Sequence, residues 1–283
     1  MAYILILIGI MTNVAEGTIV RSHGKKYSGG CIFTGIISLF SMIFFLVTDT
    51  NGFVIKDGLI WYSLAAGIMY GMASVLTYEA FARGSFALSN LILSYALVFT
   101  VCYGIIFLKE NATVYTYIGF VLLVISIFLM NNKKEEAKKQ ITFDWVICIT
   151  LSFIGSGMFG VIQRMQQIRY DNSVTNEFMV IALGISSVML FTVGLLREKK
   201  GIKGILTKGN IYAAAAGIFN GLTNMTTLMV NTMFMISRTS VIRAGVKTII
   251  IFLISSLIYK EKFAVKQLIA VGLGAISVII FNI

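Results

Sequence analysis

The sequence predicts an all-α polytopic membrane protein, with ten transmembrane helices arranged as two inverted five-helix repeats. Composition, block length and self-similarity carry that expectation. Of 283 residues, 58% are hydrophobic and only 12% are charged, and the mean hydropathy is +0.89. A soluble domain carries about 25% charged residues. The apolar residues fall into long blocks, each close to the ~20 needed to cross a ~30 Å hydrocarbon core. A membrane barrel would instead show alternating segments of ~10 residues, and none occur.

The blocks cover residues 3–20, 30–48, 59–80, 86–108, 113–131, 145–163, 176–196, 211–232, 239–259 and 266–283. The first follows Met1-Ala2 without a basic segment or a small-residue cleavage site, so it reads as a retained span and not a signal peptide. The polar connections are short. Only "NNKKEEAKKQITFD" (131–144) and "REKKGIKGILTKGN" (197–210) are longer, and both are charged, solvated linkers. The expected organisation is a first repeat over 1–131, a linker over 132–144 and a second repeat over 145–283. Cys31, Cys102 and Cys148 fall inside spans and read as unpaired apolar packers. Trp61 and Trp145 each open a span, where an indole suits the headgroup level.

The repeat is visible in "YSLAAGIMYGMASVLT" (62–77) set over "YAAAAGIFNGLTNMTT" (212–227), where seven of sixteen positions agree at an offset of 150. "KE" at 109–110 and 260–261, and Ile125-Ser126 with Ile276-Ser277, continue it at 151, and "GTIVR" (17–21) matches "GVIQR" (160–164). Each copy holds five spans. An odd number sends the second copy into the bilayer from the opposite side, an architecture typical of secondary transporters with a site near the midplane. Loop charge agrees with inversion: odd-numbered connections carry 16 Lys and Arg, even-numbered ones 5. The positive-inside rule then places the odd connections in the cytosol and both termini outside. The net charge of +11 is mostly a cytosolic collar beside anionic lipid headgroups. Without a folded basic module it does not indicate nucleic-acid binding.

Residues 78–130, "YEAFARGSFALSNLILSYALVFTVCYGIIFLKENATVYTYIGFVLLVISIFLM", resemble the third-to-fifth-span signature of the drug/metabolite transporter superfamily, in its ten-helix EamA-like branch. Glu110 fills the signature's Glu slot and Ile118-Gly119 its Ile-Gly slot. In the second half Glu261 matches, whereas Ile269-Ala270 departs. The resemblance implies a ten-helix carrier with a central cavity that works by alternating access. The family's prolines in the fourth and ninth helices are replaced by Leu97 and Thr248, and the chain has no proline. Any helix break must therefore come from Gly or a polar side chain. Bacterial members of the family commonly keep both termini in the cytosol, the opposite of what the loop charges favour here.

Polar groups within the spans supply the candidate site. Asn220, Thr223, Asn224 and Thr227 share one helical face, and its repeat-mate, Tyr70, Ser74 and Thr77, is polar too. Such a face either bonds a neighbouring helix or lines a cavity. Asn90 and Ser94 add one polar turn in the fourth span. Glu16 is the one acid well inside a span, ~6 Å below the end of its block, and reads as an Arg21-paired carboxylate or as a protonatable coupling site. Glu79 pairs with Arg83, and Asp144 and Glu177 suit first helical turns. In the ninth span Arg243 lies ~6 Å deep and Lys247 ~12 Å deep, on one face. An insertion scale charges each such cation about +2.5 to 3.5 kcal/mol at a helix centre, so an anionic partner is expected. The superfamily's anion-carrying branches also place basic residues on this helix. The repeat-mates of the two cations are Ile92 and Ala96.

The function expected is secondary active transport of a small metabolite with an anionic group, of amino-acid or organic-acid type, by a multi-pass protein of the cell membrane. Lys247, Arg243, Asn220, Asn224, Tyr70 and Ser94 would contact substrate, and Glu16 would serve proton or ion coupling. A proton-coupled exporter of cationic or amphipathic drugs, with Glu16 as exchanger, is the alternative within the fold. A non-transporting membrane regulator is the alternative outside it. The partners expected are the substrate, the bilayer and a coupling proton, for a monomer or homodimer without cofactor. An enzyme is not expected: His23 is the one histidine and sits in a loop, "IGSG" (154–157) resembles a serine-protease turn without a partner base, and no metal-ligand cluster occurs.

Overall fold

The computed structural model describes residues 2–49, 52–110, 113–130, 142–198, 209–257 and 265–280. Among these residues the regular structure is helix alone: α1 Ala2–Lys26, α2 Gly30–Thr48, α3 Leu59–Arg83, α4 Phe86–Ser94, α5 Leu97–Ile106, α6 Val114–Met130, α7 Phe143–Arg169, α8 Thr175–Arg197, α9 Asn210–Met233, α10 Ile236–Leu257 and α11 Val265–Ile280. Most of the linker over 132–144, the middle of 197–210, and Lys260 and Glu261 lie outside the described residues. Among the described residues six stretches are long and apolar enough to cross a membrane: α1 from Tyr3, α2, α3, Phe86–Ile106, α7 and α8. The other helices are shorter or carry Asn, Arg and Lys within the apolar run. The chain is therefore an all-helical, multi-pass membrane protein.

Helices outrun the apolar blocks that announced them. Block 3–20 becomes α1 to Lys26, because polar residues of its last turns find partners. Arg21 Nη1 donates to Gly84 O at 3.2 Å. His23 is helical, not in a loop. It stacks on Phe33 at 3.8 Å between centroids and meets Tyr78 Oη through Nδ1 at 2.9 Å. The one hydroxyl proton of Tyr78 goes to Tyr27 O at 3.1 Å, so His23 is the donor in that pair. Glu16 consequently lies ten residues, or ~15 Å, from the end of its helix, deeper than block length implied.

The fourth span is interrupted. Tyr95 N bonds Ile92 O and Ala96 N bonds Leu93 O, both at 3.1 Å, a tighter 3₁₀-type pattern between α4 and α5. No proline is involved. Ser94 Oγ donates instead to the i−4 carbonyl of Asn90 at 2.8 Å, a back-bond that bends helices. "IGSG" is likewise no turn, since it lies inside α7. Helix starts are set by side chains. Ser85 Oγ accepts from Leu88 N, and Thr142 Oγ1 from Trp145 N, as N-caps do. The start of α2 is capped from another helix: Glu198, at the end of α8, accepts from Cys31 N at 2.9 Å and Ile32 N at 3.2 Å.

Packing brings the two sequence repeats together. α1 lies against α9, α3 against α7, α2 against α8, α6 against α11, and α10 against α4 and α5. Thr12 meets Thr223 at 2.8 Å while Asn220 reaches Glu16 at 3.0 Å, so α1 and α9 are antiparallel. α2 and α8 are antiparallel as well: Ser38 meets Ser186 at 3.2 Å, and Gly184 approaches Met42. Small residues permit this closeness, as in membrane bundles generally. A Cβ on Gly67 would stand 2.6 Å from Ala182 O of α8. A Cβ on its repeat-mate Gly217 would stand 2.8 Å from Ile37 O of α2. Large apolar side chains point the other way: Ile60, Val188, Leu195 and Leu257 are exposed, the arrangement hydrocarbon solvent requires. Trp61 is exposed as headgroup placement predicts, but Trp145 is buried. Its Nε1 donates to Ser89 Oγ at 3.2 Å, because the α3–α4 turn at Gly84 packs on the indole.

Both glycine contacts are with backbone, which yields little. Gly67→Ala and Gly217→Ala are predicted to cost about 1–3 kcal/mol each, lowering the thermal unfolding midpoint of the detergent-solubilised protein. Gly272→Ala, whose Cβ would meet nothing within 4 Å, should leave that midpoint unchanged or raise it.

Candidate functional site

A cavity of ≈ 260 Å³ lies among α1, α2, α3, α4, α7, α9 and α10. α9 brings Asn220, Thr223 and Asn224 to it and α3 brings Tyr70, Ala73 and Ser74. These are three repeat-related pairs at the offset of 150. α1 supplies Asn13 and Glu16, and α7 supplies Ser156 and Phe159, which are pairs in the register of the "GTIVR"/"GVIQR" match. Helical spacing explains each set, since residues three and four apart share a face.

Asn220 is the hub of the polar contacts. Its Nδ2 donates to Glu16 Oε1 at 3.0 Å. Its Oδ1 accepts from Ser41 Oγ at 2.9 Å and from Asn224 Nδ2 at 3.0 Å. Asn224 Oδ1 in turn accepts from Gln163 Nε2 at 3.3 Å. Asn220 and Asn224 are buried, and their amides are satisfied by one another and by neighbours, as burial requires.

Lys247 stands near the middle of α10 and lines the cavity. Among the described residues no carboxylate forms an ion pair with it; the ion pairs found there join Arg83 to Glu79 at 2.8 Å and to Asp144 at 3.5 Å. Glu16 lines the same cavity. A cation and an acid thus face one small space without touching.

The remaining expected residues fall elsewhere. Arg243 is one turn from Lys247 but does not line the cavity. Its Nη2 would be 2.8 Å from a Cβ on Gly9, and it packs on α1 beside Thr226 of α9. Its Nε and Nη2 are buried without a hydrogen-bond partner among the described residues. Ser94 is turned to the backbone of Asn90, and Asn90 takes the cavity position. Asn13, Ser41, Phe159 and Gln163 are not singled out by the sequence, and Ser156 only as the serine of "IGSG", not as a cavity residue. Asn13 is three residues before Glu16 and pairs with Ser156 through the repeat, a signal that could have found both. The three cysteines are free, and no metal-binding group of His, Cys, Asp and Glu occurs among the described residues.

The cavity has a direction. Thr34 and Ile37 lie early in α2, Asn90 and Leu93 early after the α3–α4 turn, and Thr77 and Phe81 late in α3. It therefore extends from mid-helix toward the α1–α2 and α3–α4 connections. Toward the other end α7 and α9 are stitched together. Gln163 bonds Asn224, Gln167 Nε2 donates to Leu228 O at 3.0 Å, and Arg164 Nη1 donates to Asn231 O at 2.8 Å.

Known proteins bear on this arrangement. Residues 1–132 match the EamA-like transporter family. An uncharacterized protein of Methanocaldococcus jannaschii is 26% identical over 100 residues, which are 35% of this chain and 73% of that one. A crystal structure titled only as that of a protein superposes with a TM-score of 0.72, over 99% of this chain and 95% of its own, at 11% identity; that likeness is one of fold. The family match thus covers 132 of the 283 residues, the first of the two sequence repeats, and is a likeness of that part of the chain.

Proposed function

We propose that the protein is a secondary active transporter that carries a small zwitterionic metabolite of the amino-acid type across the cell membrane by alternating access. The observation behind this reading is that Lys247 and Glu16 face one ≈ 260 Å³ cavity without pairing. Ionised groups are costly among apolar helices unless compensated. A ligand bearing a carboxylate and an ammonium compensates both, the carboxylate on Lys247 and the ammonium on Glu16. Tyr70, Asn220 and Asn224 are at hand for its polar substituents. A plain organic acid would meet Lys247 equally well but would face the Glu16 carboxylate, unless a coupling proton neutralised it. The cavity is smaller than the ~300–1,000 Å³ usual for drug-sized ligands, and Lys247 repels a cation. Both count against export of cationic drugs.

Ten spans in two inverted repeats remain the proposed architecture. Its supports are the offset of 150, the antiparallel contact between the repeat-mates α2 and α8, and the repeat-related pairs that line the cavity. With the basic odd connections in the cytosol, the cavity is open inward and the α7–α9 stitching closes the outer side.

Reconstituted into proteoliposomes with a panel of labelled amino acids and organic acids, Lys247→Gln should lose one charge-assisted contact, about 1.5–3 kcal/mol, seen as roughly a 10- to 100-fold rise in KM. Undiminished transport of every confirmed substrate by Lys247→Ala would overturn the assignment. Glu16→Gln should favour substrates that lack the ammonium group. If it instead abolishes pH-driven antiport of a cationic drug, the exporter reading takes its place.

Access can be read separately. With Cys31, Cys102 and Cys148 changed to Ser, Thr77→Cys should react with a membrane-impermeant thiol reagent from the cytosolic face, and Gln167→Cys should not. The reverse pattern would sink the inward-open assignment.

A further inference from the structure

Arg243 is a buried cation that the cavity leaves unused. It stands seven residues into α10, Gly9 stands seven residues into α1, and Thr226 stands seven residues before the end of α9. The three meet ~10 Å below the closed end of the bundle, at 1.5 Å of rise per residue. Nε and Nη2 of Arg243 are buried, and among the described residues its side chain makes neither a hydrogen bond nor an ion pair. Glu16 is seven residues further along α1, another ~10 Å away. A charged donor held in apolar surroundings without a partner is costly, so its retention calls for a ligand.

Only a thin partition separates Arg243 from the cavity. Thr223 lines the cavity, and its Oγ1 meets Thr12 Oγ1 of α1 at 2.8 Å. One turn further toward the closed end come Thr226 and Gly9. A Cβ on Gly9 would lie 2.5 Å from Thr226 Oγ1 and 2.8 Å from Arg243 Nη2. The absence of a side chain at Gly9 is what admits the guanidinium. Lys247, on the cavity side of the partition, is four residues along α10, or ~6 Å.

The repeat shows that the fold does not need a cation at this crossing. Arg243 has Ile92 as its mate, and Gly9 and Ile6 of α1 have Ser152 and Ile149 of α7 in the register of the "GTIVR"/"GVIQR" match. In the first half Ile92 packs against the cluster of Ala80, Trp145 and Ile149. An isoleucine does there what packing requires, and the arginine is an addition of the second half.

We infer that Arg243 is a second anion station of the transport path, behind the cavity, which receives the carboxylate of the substrate when the bundle opens to the outer side. Parting of the Thr12–Thr223 contact would join Arg243 to the cavity. The anion would then step ~6 Å along one helix, between Arg243 and Lys247. In the inward-open arrangement the station is sealed and empty of partners. The inference rests on the alternating-access reading and adds a residue that acts from one face of the membrane alone.

The first test needs no known substrate. With Cys31, Cys102 and Cys148 changed to Ser, Thr226→Cys in proteoliposomes is treated from the outer face with sulfonatoethyl and trimethylammonioethyl methanethiosulfonate. Relative to a free thiol, the anionic reagent should be favoured roughly tenfold or more, as a cationic cleft enriches an opposite charge. Arg243→Met should abolish that preference and Arg243→Lys keep it. Thr77→Cys, treated from the cytosolic face, should show no dependence on Arg243. Removing an uncompensated buried charge should also raise the thermal unfolding midpoint of Arg243→Met. A lowered midpoint, or a variant that does not fold, gives Arg243 a structural task and overturns the proposal. So does a preference that survives Arg243→Met, or a Thr226→Cys that stays unreactive from outside. For any labelled amino acid that is carried, Arg243→Met should raise KM from the outer face about 10- to 100-fold, the size of one charge-assisted hydrogen bond, and leave KM from the cytosolic face unchanged. Equal rises on both faces overturn the second station. If no amino acid is carried, the transport reading falls by its own assay, and the thiol comparison still decides whether Arg243 is an outer anion site.

Discussion

One side-chain amide sets the geometry on which the cavity depends. Asn220 donates to Glu16 of α1, accepts from Ser41 of α2, and accepts again from Asn224 one turn along its own helix. Three helices are thereby fixed by a single residue at mid-span. In an apolar bundle a polar group has few other partners to turn to, and leaving one unsatisfied costs about 1–3 kcal/mol. The network is therefore all-or-nothing: Asn220 orients Glu16, and Glu16 in turn has reason to face the cavity because an amide holds it there. Gln163, through Asn224, ties α7 to the same hub.

Around that hub the two halves contribute alike, and the charges do not. Tyr70 and Asn220, Ala73 and Thr223, Ser74 and Asn224, and Asn13 and Ser156 are repeat-mates on one wall or another. Glu16 has Phe159 as its mate, and Lys247 has Ala96. A duplicated scaffold provides a near-symmetric lining, and one acid and one base placed asymmetrically give that lining a polarity. The small-residue contacts at Gly67 and Gly217 follow the symmetry, since packing is indifferent to which ligand is bound.

Much of this was legible in the chain. Block length and composition gave the helical membrane class, because no alternative satisfies backbone groups in lipid. The offset of 150 pointed to the α3 and α9 faces before any contact was known, and Lys247 stood out by its depth. Hydropathy misjudged what it does not measure. It ended α1 at residue 20, although the helix is held to Lys26 by Arg21 and His23 finding partners on α3 and its turn. It set Trp145 at the headgroup level, although a tertiary contact with Gly84 and Ser89 buries the ring. Helical spacing put Arg243 and Lys247 on one face. A face of a helix is wider than a cavity, and one turn was enough to send Arg243 against Gly9 instead.

The cap on α2 has a mechanical meaning. Two backbone N–H groups at its start are held by the carboxylate of Glu198, which belongs to the end of α8. Along their length the same two helices share the Ser38–Ser186 and Ser187–Gly35 contacts. Sliding one along the other would break two charge-assisted bonds at the end and bury unmatched hydroxyls in the middle. α2 and α8 are thus a single stiff strut, one that crosses from the first half of the chain to the second. Any rocking of the bundle must carry them together, and the hinges have to lie elsewhere, with the 3₁₀ turn at Tyr95–Ala96 as the point where a span is already loosened.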